Sequence, residues 1–163
     1  MPGVMRPQNA RWIGVVARTL LTSVALLSTI LGVSSQAATD PSLEDMKARL
    51  ASASSGDKPH LCVQIAEREL AIADRLYTTD DVEHAEISVK DVVTFSEMAR
   101  DYAIQSHKYQ KQTEIAVRTM ARRLADIEHL VSHDDQAPIQ AAIARLQRVR
   151  DDLLMAMFPK GAK

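Results

Sequence analysis

The stretch VEHAEISVKDVVTFSEMARDYAIQSHKYQKQTEIAVRTMARRLADIEHLV, residues Val82 to Val131, contains neither glycine nor proline. Within it Val92, Ser96, Ala99, Ala103, Ser106, Gln110, Thr113, Val117, Met120, Leu124, Ile127 and Val131 recur at alternating steps of four and three. A spacing that averages about 3.5 residues keeps side chains on one stripe of an α-helix, as in a coiled-coil seam. None of the usual helix-stop signals interrupts the stretch, so it predicts one long continuous helix. Its middle, Ser106-His107-Lys108-Tyr109-Gln110-Lys111-Gln112, lacks large apolar side chains. A turn there is the alternative, and it converts a bundle of three helices into one of four.

Working outward, Thr78-Thr79-Asp80-Asp81 offers short polar side chains that stop one helix and cap the next. Before it, Cys62, Ile65, Ala66, Ala73, Leu76 and Tyr77 share one helical face, which predicts a helix from about Pro59 to Tyr77 with Asp57 as its cap. Proline near the first turn is tolerated because its missing N–H has no helical partner there. Ser52 to Lys58 reads as a linker, and Leu43, Met46, Lys47 and Leu50 give the preceding piece a single apolar stripe. A helix that short is marginal alone, so residues 38–58 are expected as a mobile arm or a weakly docked helix. After the long stretch, Ser132-His133-Asp134-Asp135 resembles a cap. Ile139, Ala142, Ile143, Leu146, Val149, Leu153 and Met157 then form a last apolar stripe, which ends at Phe158-Pro159. Such stripes are packing surfaces, and with 4% aromatic residues the core is aliphatic.

The amino-terminal end has a different character. Arg6, Arg11 and Arg18 lead into an apolar run from Leu20 to Val33, followed by Ser34-Ser35-Gln36-Ala37-Ala38. A basic start, an apolar run and a small-residue exit make a secretory signal peptide, with Ser35 and Ala37 placing the cut after residue 37. A retained anchor needs Trp12 to Val33 to span a bilayer. Arg18 opposes that, since a central charge costs roughly 2.5–3.5 kcal/mol to insert. The expected product is exported, periplasmic or secreted, without a stable membrane span. Losing the three leader arginines takes the net charge from −1 to −4, a mildly acidic surface.

Lys108, Lys111, Arg118, Arg122 and Arg123 are locally basic but spread around a helix with Glu114 among them. A nucleic-acid site calls for a concentrated patch on a basic domain, so no nucleic-acid partner is expected. Cys62 is the only cysteine. Exported small domains commonly use cysteines in pairs; a lone one reads as a small buried hydrophobe, with an intermolecular disulfide as the alternative.

Two constellations could carry chemistry. His129 and His133, four residues apart with Asp134 and Asp135 following, are the candidate metal ligands, because two imidazoles at that spacing can share an ion. Without a glutamate directly after His129 the metalloprotease form of that motif is missing. Asp81-Val82-Glu83-His84 and Asp126-Ile127-Glu128-His129 place an acid three residues before a histidine, but the carboxylates that a di-iron bundle needs cannot be assembled around them. Ile127 and Leu130 are expected on the packed face, turning His129 away from it. Met98, Met120, Met155 and Met157 read as core filler rather than copper ligands. There is no haem-attachment motif, glycine-rich phosphate loop or nucleophile elbow, so no cofactor and no enzymatic activity are expected.

The segment from Ala66 to Val92 resembles one tetratricopeptide unit: Ile72, Ala73, Leu76, Ala85, Val89 and Val92 take its small and apolar positions, with Asp80-Asp81 in the turn. Glu69 stands at its aromatic position and Glu97 at its terminal proline. One unit cannot bury a continuous solenoid core, which requires at least about three. The whole chain is similar to exported helical proteins of Gram-negative-type bacteria, a resemblance that implies location and helix content. The sequence thus predicts an all-α protein: a leader at 1–37, an arm at 38–58, and at 59–163 an antiparallel bundle of three helices, alternatively four, with a long central helix. The expected function is a non-enzymatic interaction or scaffold protein that binds a protein partner or itself. A metal-binding or stress-responsive bundle using His129 and His133 is the alternative.

Overall fold

The computed structural model describes residues 42–159. The leader expected at 1–37 and its cleavage site lie outside them. The described chain is all-helical, with five helices packed against one another and no strand. They are α1 (Leu43–Ser52), α2 (Lys58–Thr78), α3 (Val82–Ser106), α4 (Gln110–Glu128) and α5 (Gln136–Met157), with a 3₁₀ turn at His133–Asp135 before the last.

The long stretch is therefore two helices, which overturns the continuous-helix expectation. The break at residues 107–109 uses no glycine: His107 (φ 56°) and Tyr109 (φ 61°) both take the left-handed conformation. Such residues cost roughly 1–2 kcal/mol each, and histidine is among the types that adopt the conformation more readily. Ser106 Oγ accepts from the Lys108 backbone N–H at 3.3 Å while donating to the Tyr102 carbonyl at 2.6 Å. Tyr109 stacks on His60 with ring centroids 5.7 Å apart, and Lys58 Nζ lies 5.1 Å from the Tyr102 ring centroid. The turn is held by its neighbours on α2 rather than by turn-forming residues. Gly56, in the α1–α2 connection, belongs to the same end: a Cβ there would stand 2.9 Å from Lys108 Nζ.

Nine of the twelve seam positions are core, while Ser106 and Gln110 beside the break and Val131 beyond the end of α4 are half-buried. Val92, Ser96, Ala99, Ala103, Val117, Leu124, Ile127, Met120 and Thr113 are all 2% exposed or less. They face a core completed by Leu70 and Ala73 of α2 and by Ile139, Leu146, Val149 and Leu153 of α5. Helices α2 and α3 form one tight hairpin and α4 and α5 a second, while α3 also packs on α5 and α2 on α4. The start of α4 lies by His60 near the start of α2, and Arg123 of α4 binds Asp74 toward the end of α2, so these two run parallel. Since each hairpin is antiparallel, α3 and α5 are parallel too. Arg145–Glu97 at 2.8 Å and Arg100–Asp152 at 2.8 Å tie that second parallel interface.

The piece expected as an arm or weakly docked helix is α1. Ser42 and Asp45 form a capping box, and Met46 and Leu50 are buried against Leu61, Cys62, Ile65 and Ala99. Lys47 extends the docking through Glu69 at 3.1 Å and Asp91 at 3.5 Å. Two expected caps take other partners. Asp57 directly precedes α2, but its carboxylate accepts from Ser54 Oγ at 2.7 Å and makes no side-chain bond to the helix start. Asp81 likewise precedes α3 and binds His84 instead.

Candidate functional site

His129 and His133 sit at the connection from α4 to α5, where the sequence pattern places them together in the chain. His129 follows the last residue of α4, His133 opens the 3₁₀ turn, and both are exposed. Around them Ser132 Oγ donates to Asp135 at 2.6 Å and Gln140 Nε2 donates to Glu128 at 2.8 Å, so two of the nearby carboxylates are engaged by neighbours. Among the described residues no group of three or more histidine, cysteine, aspartate or glutamate side chains converges as a metal would require. Leu130, expected on the packed face, is 81% exposed because α4 has ended two residues earlier. Histidine 84 of the first acid-x-x-His pattern pairs with Asp81 at 2.8 Å on the surface. That hydrogen bond lowers the Asp81 carboxyl and raises the His84 imidazole.

Two acids were not legible as buried. Glu69 is 4% exposed, and burial pushes its carboxyl up while Lys47 pulls it back. Lys47 is pulled down by its own partial burial, but Glu69 and Asp91 outweigh this and raise it. Glu114, 7% exposed, accepts from Arg150 Nε at 2.9 Å, with Arg118 Nε at 3.9 Å from the next turn of α4. Both acids bridge helices: Glu69 joins α2 to α1 and Glu114 joins α4 to α5. The only sign of this in the sequence is an acid interrupting an apolar stripe, which could equally mark a helix edge.

Cys62 is fully buried, and desolvation pushes its thiol up to about 11, with Lys58 opposing. Its position is that of a core hydrophobe, and it is not placed for a disulfide between copies. Of the methionines, Met120 is core at 2% exposed, while Met155, expected as core filler, is 62% exposed. Leu153 occupies the inward stripe of α5, and a residue two positions on points away from it. The locally basic residues Lys108, Lys111, Arg118, Arg122 and Arg123 are exposed, and Arg123 is paired with Asp74 at 2.7 Å.

The surface carries two shallow grooves of note. One, about 810 Å³, runs between α1 and α2 past Arg49, His60, Gln64, Glu67 and Tyr109. The other, about 390 Å³, lies between α3 and α5, lined by Glu97, Arg100, Arg145, Arg148, Asp151 and Asp152, with Met155 at its edge. Beyond Met155, Phe158 is 71% exposed, three residues further along the same helix end. No helix among the described residues is long and apolar enough to cross a membrane. Comparison with protein-family models, curated proteins and solved structures finds no match to this chain.

Proposed function

We propose that this chain is an exported, non-enzymatic interaction protein whose four longer helices form the bundle and whose outer face at the end of α5 receives a protein partner. The supporting observation is Met155, 62% exposed on the edge of the ion-pair-lined groove between α3 and α5, followed at the end of the helix by Phe158, 71% exposed. Met155 is on the last turn of α5 and Phe158 caps it with its N–H on the Leu154 carbonyl, so two large apolar side chains are exposed at one helix end, Met155 directly beside fixed charges of both signs. Methionine and aromatic side chains are enriched at protein interfaces, where apolar contact supplies affinity and a charged rim supplies orientation. The seam of α3 and α4 plays no part in this, because its apolar stripe is already covered within the chain.

The test is native mass spectrometry of the protein isolated from its exported fraction, beside a Met155→Ser, Phe158→Ser variant. The expected result is a chain beginning at Ala38 with a protein bound in fixed ratio, released by the double substitution. A bare monomer in both samples refutes the interaction reading. A monomer carrying metal in fixed ratio, lost in His129→Ala with His133→Ala, moves the function to the α4–α5 connection.

A further inference from the structure

We infer that the α3–α4 turn is a hinge that opens into continuous helix, and that the partner of the opened form is a second copy of this chain, exchanging its α4–α5 hairpin. Three observations converge on residues 107–109. The turn holds two non-glycine residues in the left-handed conformation with only Lys108 between them. Nothing in Val82 to Glu128 is a glycine or proline, so no residue forbids helix across the turn. The third observation is phase. Ala103, Ser106, Gln110 and Thr113 continue the four-three alternation across the break, so straightening residues 107–109 keeps the buried faces of α3 and α4 on one stripe, drifting only about 20° per seven residues. A turn of another length would have lost that register.

Straightening produces a helix of roughly 70 Å at 1.5 Å per residue and carries the α4–α5 hairpin away from α2 and α3. Both halves then expose core: Leu70, Ala73 and Val92 on one side, Val117, Leu124 and Leu146 on the other. The surface that fits each exposed half is the complementary half of an identical chain. Every closed contact between the halves is regained between copies, including Arg123–Asp74, Arg145–Glu97 and Arg100–Asp152. The two long helices run antiparallel through the hinge, related by a two-fold axis there. Short hinge loops under strain are the situation that favours such exchange. This stands on the turn alone and does not depend on export or on the partner at Met155 and Phe158.

The experiment compares three forms of the protein after refolding from urea at high concentration: unchanged, His107→Ala with Tyr109→Ala, and His107→Gly with Tyr109→Gly. Size-exclusion chromatography with light scattering gives the oligomer, and circular dichroism confirms equal helix content. Alanine keeps the left-handed strain in the closed turn and favours helix in the open one, so its dimer fraction rises. Glycine relaxes the closed turn and weakens the open helix at four positions per dimer, so the dimer dissociation constant rises by about a thousandfold or more. To establish exchange, Arg123→Lys is introduced and joined to Asp74 with a zero-length carbodiimide, the link being located by peptide mass mapping. In an exchanged dimer the link from position 123 to Asp74 joins two chains on a denaturing gel. A protein that stays monomeric in the unchanged and alanine forms overturns the inference, and so does a dimer whose link from position 123 stays within one chain.

Discussion

Replacing Thr113 by valine should stabilise this protein. Thr113 is 1% exposed, in the first turn of α4, and its backbone N–H donates to the Tyr109 carbonyl at 2.8 Å. Its hydroxyl is buried with no hydrogen-bond partner among the described residues. Leaving a buried donor unpaired costs about 1–3 kcal/mol. Valine has the same shape without the hydroxyl and nearly the same helix propensity, so Thr113→Val should recover about 1–2 kcal/mol of that. Thr113→Ser keeps the hydroxyl and removes a methyl, and should lose about 1 kcal/mol. The two variants thus differ by about 2–3 kcal/mol, with the unchanged protein between them. Urea unfolding followed by circular dichroism measures this as a shift in midpoint at constant slope. If valine is no more stable than threonine, the hydroxyl has a partner in solution and the packing of α4 against the core is misdescribed.

Two further outcomes follow from buried titratable groups. Because burial raises the Glu69 carboxyl above its unfolded value of 4.5, its contribution to stability is present below about pH 4.5 and is lost as pH rises through the folded value. Glu69→Gln should therefore raise the urea midpoint at pH 7 but leave it unchanged near pH 4, with Asp91 still holding Lys47; a lower midpoint at pH 7 would show the ion pair to be a net stabiliser. Cys62, fully buried and with its thiol pushed up to about 11, should resist a thiol reagent in the native protein at pH 8 and react fully in urea, and reaction in both conditions would place it outside the core.

Most of the helical architecture was legible, because apolar side chains at three- and four-residue steps can bury themselves only on a helix face. The stripes of α3, α4 and α5 occupy the core where the spacing placed them. The break at residues 107–109 falls in the stretch where the lack of large apolar side chains offers a turn as the alternative; what selects the turn over continuous helix is not visible in the pattern, because it involves the hydrogen bonds of Ser106 and the stacking of Tyr109 on His60. For α2 the stripe was read too narrowly. Leu61 and Val63 are buried beside the expected face because α1 covers a second side, and a helix enclosed on two sides has a wider apolar arc than periodicity alone suggests. Of the candidate site, the exposed positions of His129 and His133 match their place at a helix end. Leu130 faces solvent because α4 ends before it, and Met155 because the stripe through Leu153 turns it outward, a cue that its residue type as core filler obscures.

The pairing of α2 with α3 and of α4 with α5 has a kinetic consequence. Each hairpin joins residues close in sequence, and local contacts form fast, so the two hairpins should arise early and independently. The parallel interfaces, α2 with α4 and α3 with α5, join residues roughly 50 positions apart, as in Asp74 with Arg123 and Glu97 with Arg145, and must form last. The rate-limiting event is then the docking of two preformed halves across a strained joint. A backbone cut at Lys108 would leave two fragments, each already shaped to recognise the other, whose reassembly becomes a bimolecular reaction with a rate set by concentration.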